Sequence, residues 1–166
     1  RMSRLETSSF ACISEVLLLA AESMKVLSDD PKLDVSNLDI LTQLLESCNL
    51  SRDAEEQITE CISSKNAHGL KRICRDADLG PARAELLNAL VTTYGDPEEV
   101  IPQLEQAFLE TPIFSSEEKS AFAKSIDALK EIVEAFREAG LEEMLNIDFS
   151  VVGDLKYYNG IIFSAG

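Results

Sequence analysis

Tyr157 and Tyr158 stand side by side, followed by Asn159, Gly160 and the apolar run Ile161, Ile162, Phe163; no other stretch of this chain is better suited to chemistry. An aromatic ring offers a flat wall, and a phenol can donate or accept a hydrogen bond. A glycine in an extended segment marks close approach by a ligand or by another backbone. Together they make the floor of a small-molecule pocket, and they suit the interior of a sheet equally well. Alternation puts Lys156, Tyr158, Gly160 and Ile162 on one side of a strand and Tyr157, Asn159, Ile161 and Phe163 on the other. Tyr158 shares its side with Gly160 and is therefore the better placed to meet a ligand. Lys156, Asn159 and, upstream, Asp148 are weaker candidates. Asp148 also fits the polar side of its strand, and Asn159 fits contacts within the sheet.

The other reactive types point away from catalysis. Cys12, Cys48, Cys61 and Cys74 form no CxxC pair, and the single histidine, His68, is remote from any pair of them. A zinc site needs about four ligands at tight local spacing, so no metal site and no cofactor is expected. Each cysteine falls among apolar helical residues, where a free thiol behaves as a small hydrophobe. A reducing, cytoplasmic compartment fits that usage. Cys48, Cys61 and Cys74 are evenly spaced, but their flanks do not repeat, and the spacing reads as coincidence. His68, beside Gly69 within a helix, reads as a surface or packing residue.

The elements that must carry these residues follow from period and punctuation. Residues 14–28 are apolar nearly all round, which predicts a helix buried in a core, ended by Asp29, Asp30 and Pro31. "KLDVS" (32–36) alternates Leu33 and Val35 inward as a short strand. A helical stretch then follows, with Asn37, Ser51 and Asn66 as N-caps. Pro81 and Pro97 take first helical turns, the latter behind Asp96. One of these helices is expected over 82–94. The clearest helix runs over 116–139: Ser115 and Glu118 form a capping box, and Phe122, Ile126, Leu129, Val133 and Phe136 form an apolar stripe. Gly140 stops it. Beyond it, "MLNIDFSVV" (144–152) and "KYYNGIIF" (156–163) alternate around Gly153–Asp154, which predicts a β-hairpin. The fold class expected is α+β, an antiparallel sheet with a mostly helical insertion.

The chain has 166 residues, 45% of them hydrophobic, enough for one domain or a large piece of one. Thirty acids against 15 bases give a net charge of −15, which argues against nucleic-acid or anionic-membrane surfaces. The longest apolar run, "VLLLAA" (16–21), is too short to span a bilayer. Arg1 and Met2 begin no basic-then-apolar leader pattern, and the sequence reads as a fragment.

"NIDFSVVGDLKYYNGIIFSAG" resembles a segment of the histidyl-tRNA synthetase family whose general form is D-x-S-L-V-R-G-L-D-Y-Y-T-G-x-V-F-E. Asp148, Ser150, Val152, Leu155, Tyr157, Tyr158, Gly160 and Phe163 match it. In that family the tyrosine pair belongs to the histidine pocket, and the arginine before it contacts the substrate during activation. This chain has Gly153 at the arginine, Asp154 at the next glycine and Lys156 at the aspartate. Glycine cannot support the charge that builds up in adenylate formation as a guanidinium does.

The motif without its arginine is similar to a family of synthetase paralogues, the regulatory subunits of ATP phosphoribosyltransferase (HisZ). "SEVLLLAAESM" (14–24), "KLDVSNLDIL" (32–41) and "GDPEEVI" (95–101) extend the resemblance over most of the chain. It implies a class II synthetase-like domain: part of the core at 1–36, a helical insertion at 37–115, and a long helix and hairpin of the core at 116–166. It also implies a non-catalytic subunit that activates the short-form catalytic subunit (HisG) and carries feedback by L-histidine. Tyr157, Tyr158 and Gly160 would then be the remnant of a histidine pocket, and self-association as a synthetase-like dimer is expected. A divergent histidyl-tRNA synthetase, or a helical interaction module with a purely structural hairpin, are the other readings.

Overall fold

Seven α-helices, one short 3-10 turn at Glu142–Met144 and four short strands make up the described residues, 2–151 and 160–165, of the computed structural model. Helix α1 covers Met2–Leu27, and strand β1 covers Leu33–Asn37. Helices α2 (Leu38–Ser47), α3 (Arg52–Ser63) and α4 (Ala67–Asp76) start at Asn37, Ser51 and Asn66, whose side chains each accept a backbone N–H of the first turn. That satisfies donors a helix N-terminus leaves orphaned. Pro81 opens α5 (Pro81–Thr92), and Pro97 opens α6 (Pro97–Leu109) behind the Asp96 cap. The capping box at Ser115 and Glu118 is fully formed at the start of α7 (Ser116–Glu138). All five residues of its stripe are buried.

Two expectations about helices change. Helix α5 stops at Thr92, because Tyr94 and Gly95 form a two-residue strand, β2. Helix α1 is not buried all round: Ile13, Leu17 and Ala21 face inward, but Leu19, Val26 and Leu27 are 68%, 85% and 85% exposed. The four-residue spacing of its inward residues makes a single stripe, and α7 packs against it, leaving the other side of the helix outward.

Strands β3 (Leu145–Asp148) and β4 (Ile161–Ala165) complete a four-stranded sheet in the order β2-β3-β1-β4. Among the described residues β3 and β4 do not pair with each other as the expected hairpin would have them, and the Gly153–Asp154 turn expected between them lies outside those residues. β1 lies between β3 and β4, parallel to β3 and antiparallel to β4, so the sheet is mixed. Gly153–Asp154 suits a tight turn, but β1 supplies a better partner to both strands than they supply to each other. Leu33 pairs with Leu145 and Val35 with Ile147 and Phe163, so an apolar layer forms on one face. Helix α7 lies against β1, and α6 against β3. The α+β class holds.

A single core joins sheet and helices. Its densest aromatic knot is Phe108, Phe114 and Phe122, with ring centroids 4.7 Å, 4.8 Å and 6.1 Å apart. Burying three such rings contributes several kcal/mol, roughly 1.5–3 kcal/mol each. Among the described residues no helix is long and apolar enough to cross a membrane.

Candidate functional site

The strand that leaves the tyrosine segment is anchored at one corner of the sheet. Gly160 sits at φ +75° just before β4, a left-handed conformation that side chains disfavour. A Cβ there would come within 2.6 Å of the Asp39 carboxylate and 2.7 Å of Asn37 Oδ1. The close approach that demands glycine is therefore made by the first turn of α2. Asn37 is fully buried and uses both ends of its amide. Its Oδ1 accepts from Asp39 N at 3.0 Å, and its Nδ2 donates to the Ser125 carbonyl of α7 at 2.9 Å. Next to it, Ser36 Oγ donates to the Val151 carbonyl at 3.2 Å. Residues 151 and 160 thus both meet the end of β1, which holds the two flanks of Lys156–Asn159 at Ser36 and Asn37.

The opposite face of the sheet carries polar side chains. Asp34 and Asn146 are register partners, and Asp148 faces Tyr94. Asp148 is 6% exposed and closes an Asx turn, accepting from Ser150 N at 2.9 Å and Ser150 Oγ at 2.7 Å. Its other oxygen meets Lys65 Nζ at 3.2 Å. Lys65 also lies over the Tyr94 ring at 4.9 Å, and Asn146 Nδ2 donates to the Tyr94 hydroxyl at 3.4 Å. Lys65 reaches this point from the end of α3, where its φ of +56° places it in a left-handed cap position. Such a cap favours glycine or asparagine, and a lysine there costs about 1 kcal/mol in backbone conformation.

Asp34 is the unfinished member. Its Oδ1 is buried and makes no hydrogen bond among the described residues. Burial pushes its carboxyl above the usual carboxylate range, the nearby Asp148 charge adds to that, and Lys65 and Asn146 pull it part of the way back. One lysine thus serves two carboxylates, which is an electrostatically frustrated arrangement.

Of the residues the sequence singles out, Gly160 and Asp148 are brought to these two corners. Tyr157, Tyr158, Asn159 and Lys156 lie outside the described residues. Asp148 is more than a residue on a polar strand face, because it is buried and ion-paired. Asp34, Lys65 and Tyr94 were not anticipated. Only the positive-φ position of Lys65, unusual for that residue, could have hinted at it, and sequence does not display φ. Cys61 and Cys74 are buried and Cys48 is half-buried, as expected of packed thiols. Burial raises the pKa of Cys48, Cys61 and Cys74, and Cys74 is raised further by the other two. Their even spacing has partial structural content. The Cys61 and Cys74 carbonyls each accept the bond that closes a helix C-terminus, from Asn66 N at 2.8 Å and Leu79 N at 2.9 Å. Cys48 is instead the C-cap of α2, so no three-part repeat exists. His68 is exposed on α4.

The model of the family described as "Histidyl-tRNA synthetase" matches residues 5–165. The chain belongs to the histidyl-tRNA synthetase family. Within that family its relatives carry two kinds of name. An "ATP phosphoribosyltransferase regulatory subunit" of a Thermoanaerobacter species is 25% identical over 151 residues, 90% of this chain and 37% of that protein. A "Histidine--tRNA ligase" of Methanococcus vannielii is 26% identical over 156 residues, 90% of this chain and 33% of that protein. The chain therefore spans about a third of the length of these relatives. A crystal structure described as an ATP phosphoribosyltransferase regulatory subunit/histidyl-tRNA synthetase from Bacillus halodurans superposes with a TM-score of 0.75 at 17% identity. It covers 95% of this chain and 39% of the other, and it shows the synthetase-like fold.

Proposed function

We propose that the protein to which this chain belongs is a non-catalytic regulatory subunit of ATP phosphoribosyltransferase. In this reading it activates the short-form catalytic subunit (HisG) and carries feedback by L-histidine in the first step of histidine biosynthesis, in the cytoplasm. The observation that carries it is one of sequence. The Tyr157–Tyr158–Asn159–Gly160 signature is kept, while Gly153 stands where the synthetases of this family place the substrate-contacting arginine. A pocket that keeps its aromatic walls and loses its guanidinium is equipped to hold an amino acid and not to stabilise the charge of adenylate formation. The regulatory-subunit names among the relatives support the same choice.

Tyr157, Tyr158 and Gly160 are the residues proposed to retain the histidine pocket, with Asp148, Lys156 and Asn159 in lesser roles. Gly160 acts by letting the chain turn tightly against Asn37 and Asp39. Histidine controls the catalytic subunit if it binds one state of the assembly better than another. Residues 1–36 and 116–166 are proposed as core, 37–115 as the helical insertion, and a synthetase-like dimer as the assembling unit.

The second reading, a divergent histidyl-tRNA synthetase, is kept alive by the ligase name of the Methanococcus relative. One assay separates the two. Phosphoribosyl-ATP formation by a short-form catalytic subunit is followed alone, with the full-length protein, and with the full-length protein plus histidine. Activation that histidine suppresses establishes the regulatory reading. Absence of activation overturns it, and histidine-dependent ATP–pyrophosphate exchange then tests the ligase.

A further inference from the structure

A groove of about 450 Å³ runs between α2 and α3. Its floor is apolar, formed by Leu38, Leu41 and Leu45, with Leu41 and Leu45 themselves buried in the core. Its rim is acidic, with Glu46, Glu55 and Glu56 facing a single guanidinium, Arg52. That cation is already engaged by Glu56 at 3.6 Å, so the rim presents net negative charge. The chain as a whole, at −15, repeats the sign.

We propose that this groove is the docking site for a basic amphipathic helical segment of a partner protein. Apolar side chains of that segment fill the space over Leu38, Leu41 and Leu45, and its lysines and arginines meet Glu46, Glu55 and Glu56. Charge complementarity selects this occupant. An acidic occupant would set like charges against the rim, and a neutral one would leave the carboxylates facing it without counter-charges. The groove also connects to the site described above. Leu38 stands between Asn37 and Asp39, the two residues that close on Gly160. A segment pressing on Leu38 therefore bears on the turn that anchors the end of the tyrosine signature, which gives a partner a mechanical hold on that pocket. The identity of the partner as the catalytic subunit rests on the regulatory reading; the groove and its preference for a basic helix do not.

The experiment uses the full-length protein, the double variant Glu46→Lys/Glu56→Lys, and a control of equal charge on α7, Glu131→Lys/Glu138→Lys. All four glutamates are exposed, so the variants leave the core intact. The first probe is a short synthetic amphipathic helix of leucine and lysine, titrated by fluorescence anisotropy. The groove variant is expected to bind it at least about tenfold more weakly than the control, and equal weakening in both, or no binding by the parent, overturns the site. The second probe is the short-form catalytic subunit, followed by co-elution. If the parent assembles with it and the groove variant does not, the groove is its docking site. Equal assembly by parent and groove variant overturns the catalytic subunit as the occupant of the groove. A parent that binds the peptide but never assembles with the catalytic subunit sinks the regulatory reading and leaves the groove standing as a basic-helix site.

Discussion

Asn37 and Asp34 lie on the same short strand and resolve the burial of a polar side chain in opposite ways. Asn37 spends each end of its amide on a backbone group and braces Gly160 as it does so. Among the described residues, Asp34 keeps a buried oxygen without a partner, beside a second carboxylate, and both depend on one lysine. A satisfied buried amide fixes geometry; an incompletely satisfied charge leaves free energy to be gained by a change of state. The Asn37 end of β1 is therefore scaffold, and the Asp34 end is the adjustable one.

Four substitutions test that contrast. Gly160→Ala is expected to have the largest effect, a loss of roughly 2–3 kcal/mol, since it combines a left-handed backbone with a Cβ driven against Asp39 and Asn37. Urea denaturation measures it, and a loss within error would mean that the corner is soft. Asn37→Ala removes the α2 cap and the bond to α7, at a cost of about 1–2 kcal/mol in the same assay.

At the other end of the strand, Lys65→Met takes away the cation that Asp34 and Asp148 share. Lys65 is half exposed, so screening limits the expected loss to about 1 kcal/mol at neutral pH. That loss should shrink in acid, where Asp34 takes up its proton; a cost unchanged across pH would assign Lys65 a packing role over Tyr94. Asp34→Asn has the smallest effect and the opposite sign, a gain of under about 1 kcal/mol at neutral pH. The folded carboxyl binds its proton more tightly than the unfolded one, whose ordinary value is 3.8. Its contribution to stability is therefore fully present below that value and is lost as pH rises through the raised folded value. The Asn variant should out-melt the parent at pH 7 and lose that advantage towards pH 3.

What could be read from sequence divides along the same line. The caps at Asn37, Ser51, Asn66, Asp96 and Ser115 and the stripe of α7 are local, each decided within a turn or two of chain. Sheet order is not local. Alternation identified the β3 and β4 stretches, but nothing in either announces that β1, more than a hundred residues upstream, would come between them. Lys65 and Asp148 meet for the same non-local reason. The two-residue β2 is too short to alternate at all. The aromatic signature itself was legible as a motif, because motif recognition needs only the order of residues.

The placement of β1 between partners from distant parts of the chain has a temporal consequence. During synthesis this strand emerges before either of its partners, and neither β3 nor β4 exists until about 110 residues more have been added, on the order of 10 s at 5–20 residues per second. For that interval Leu33 and Val35 lie on a strand with both edges open, the condition under which nascent chains pair wrongly. Helices α2 to α7, all but α5 capped by a side chain of their own N-terminus, can form meanwhile and deliver α7 to the apolar face of β1 before the last strands arrive. Those caps then do more than end helices: they shelter the centre of the sheet while it waits.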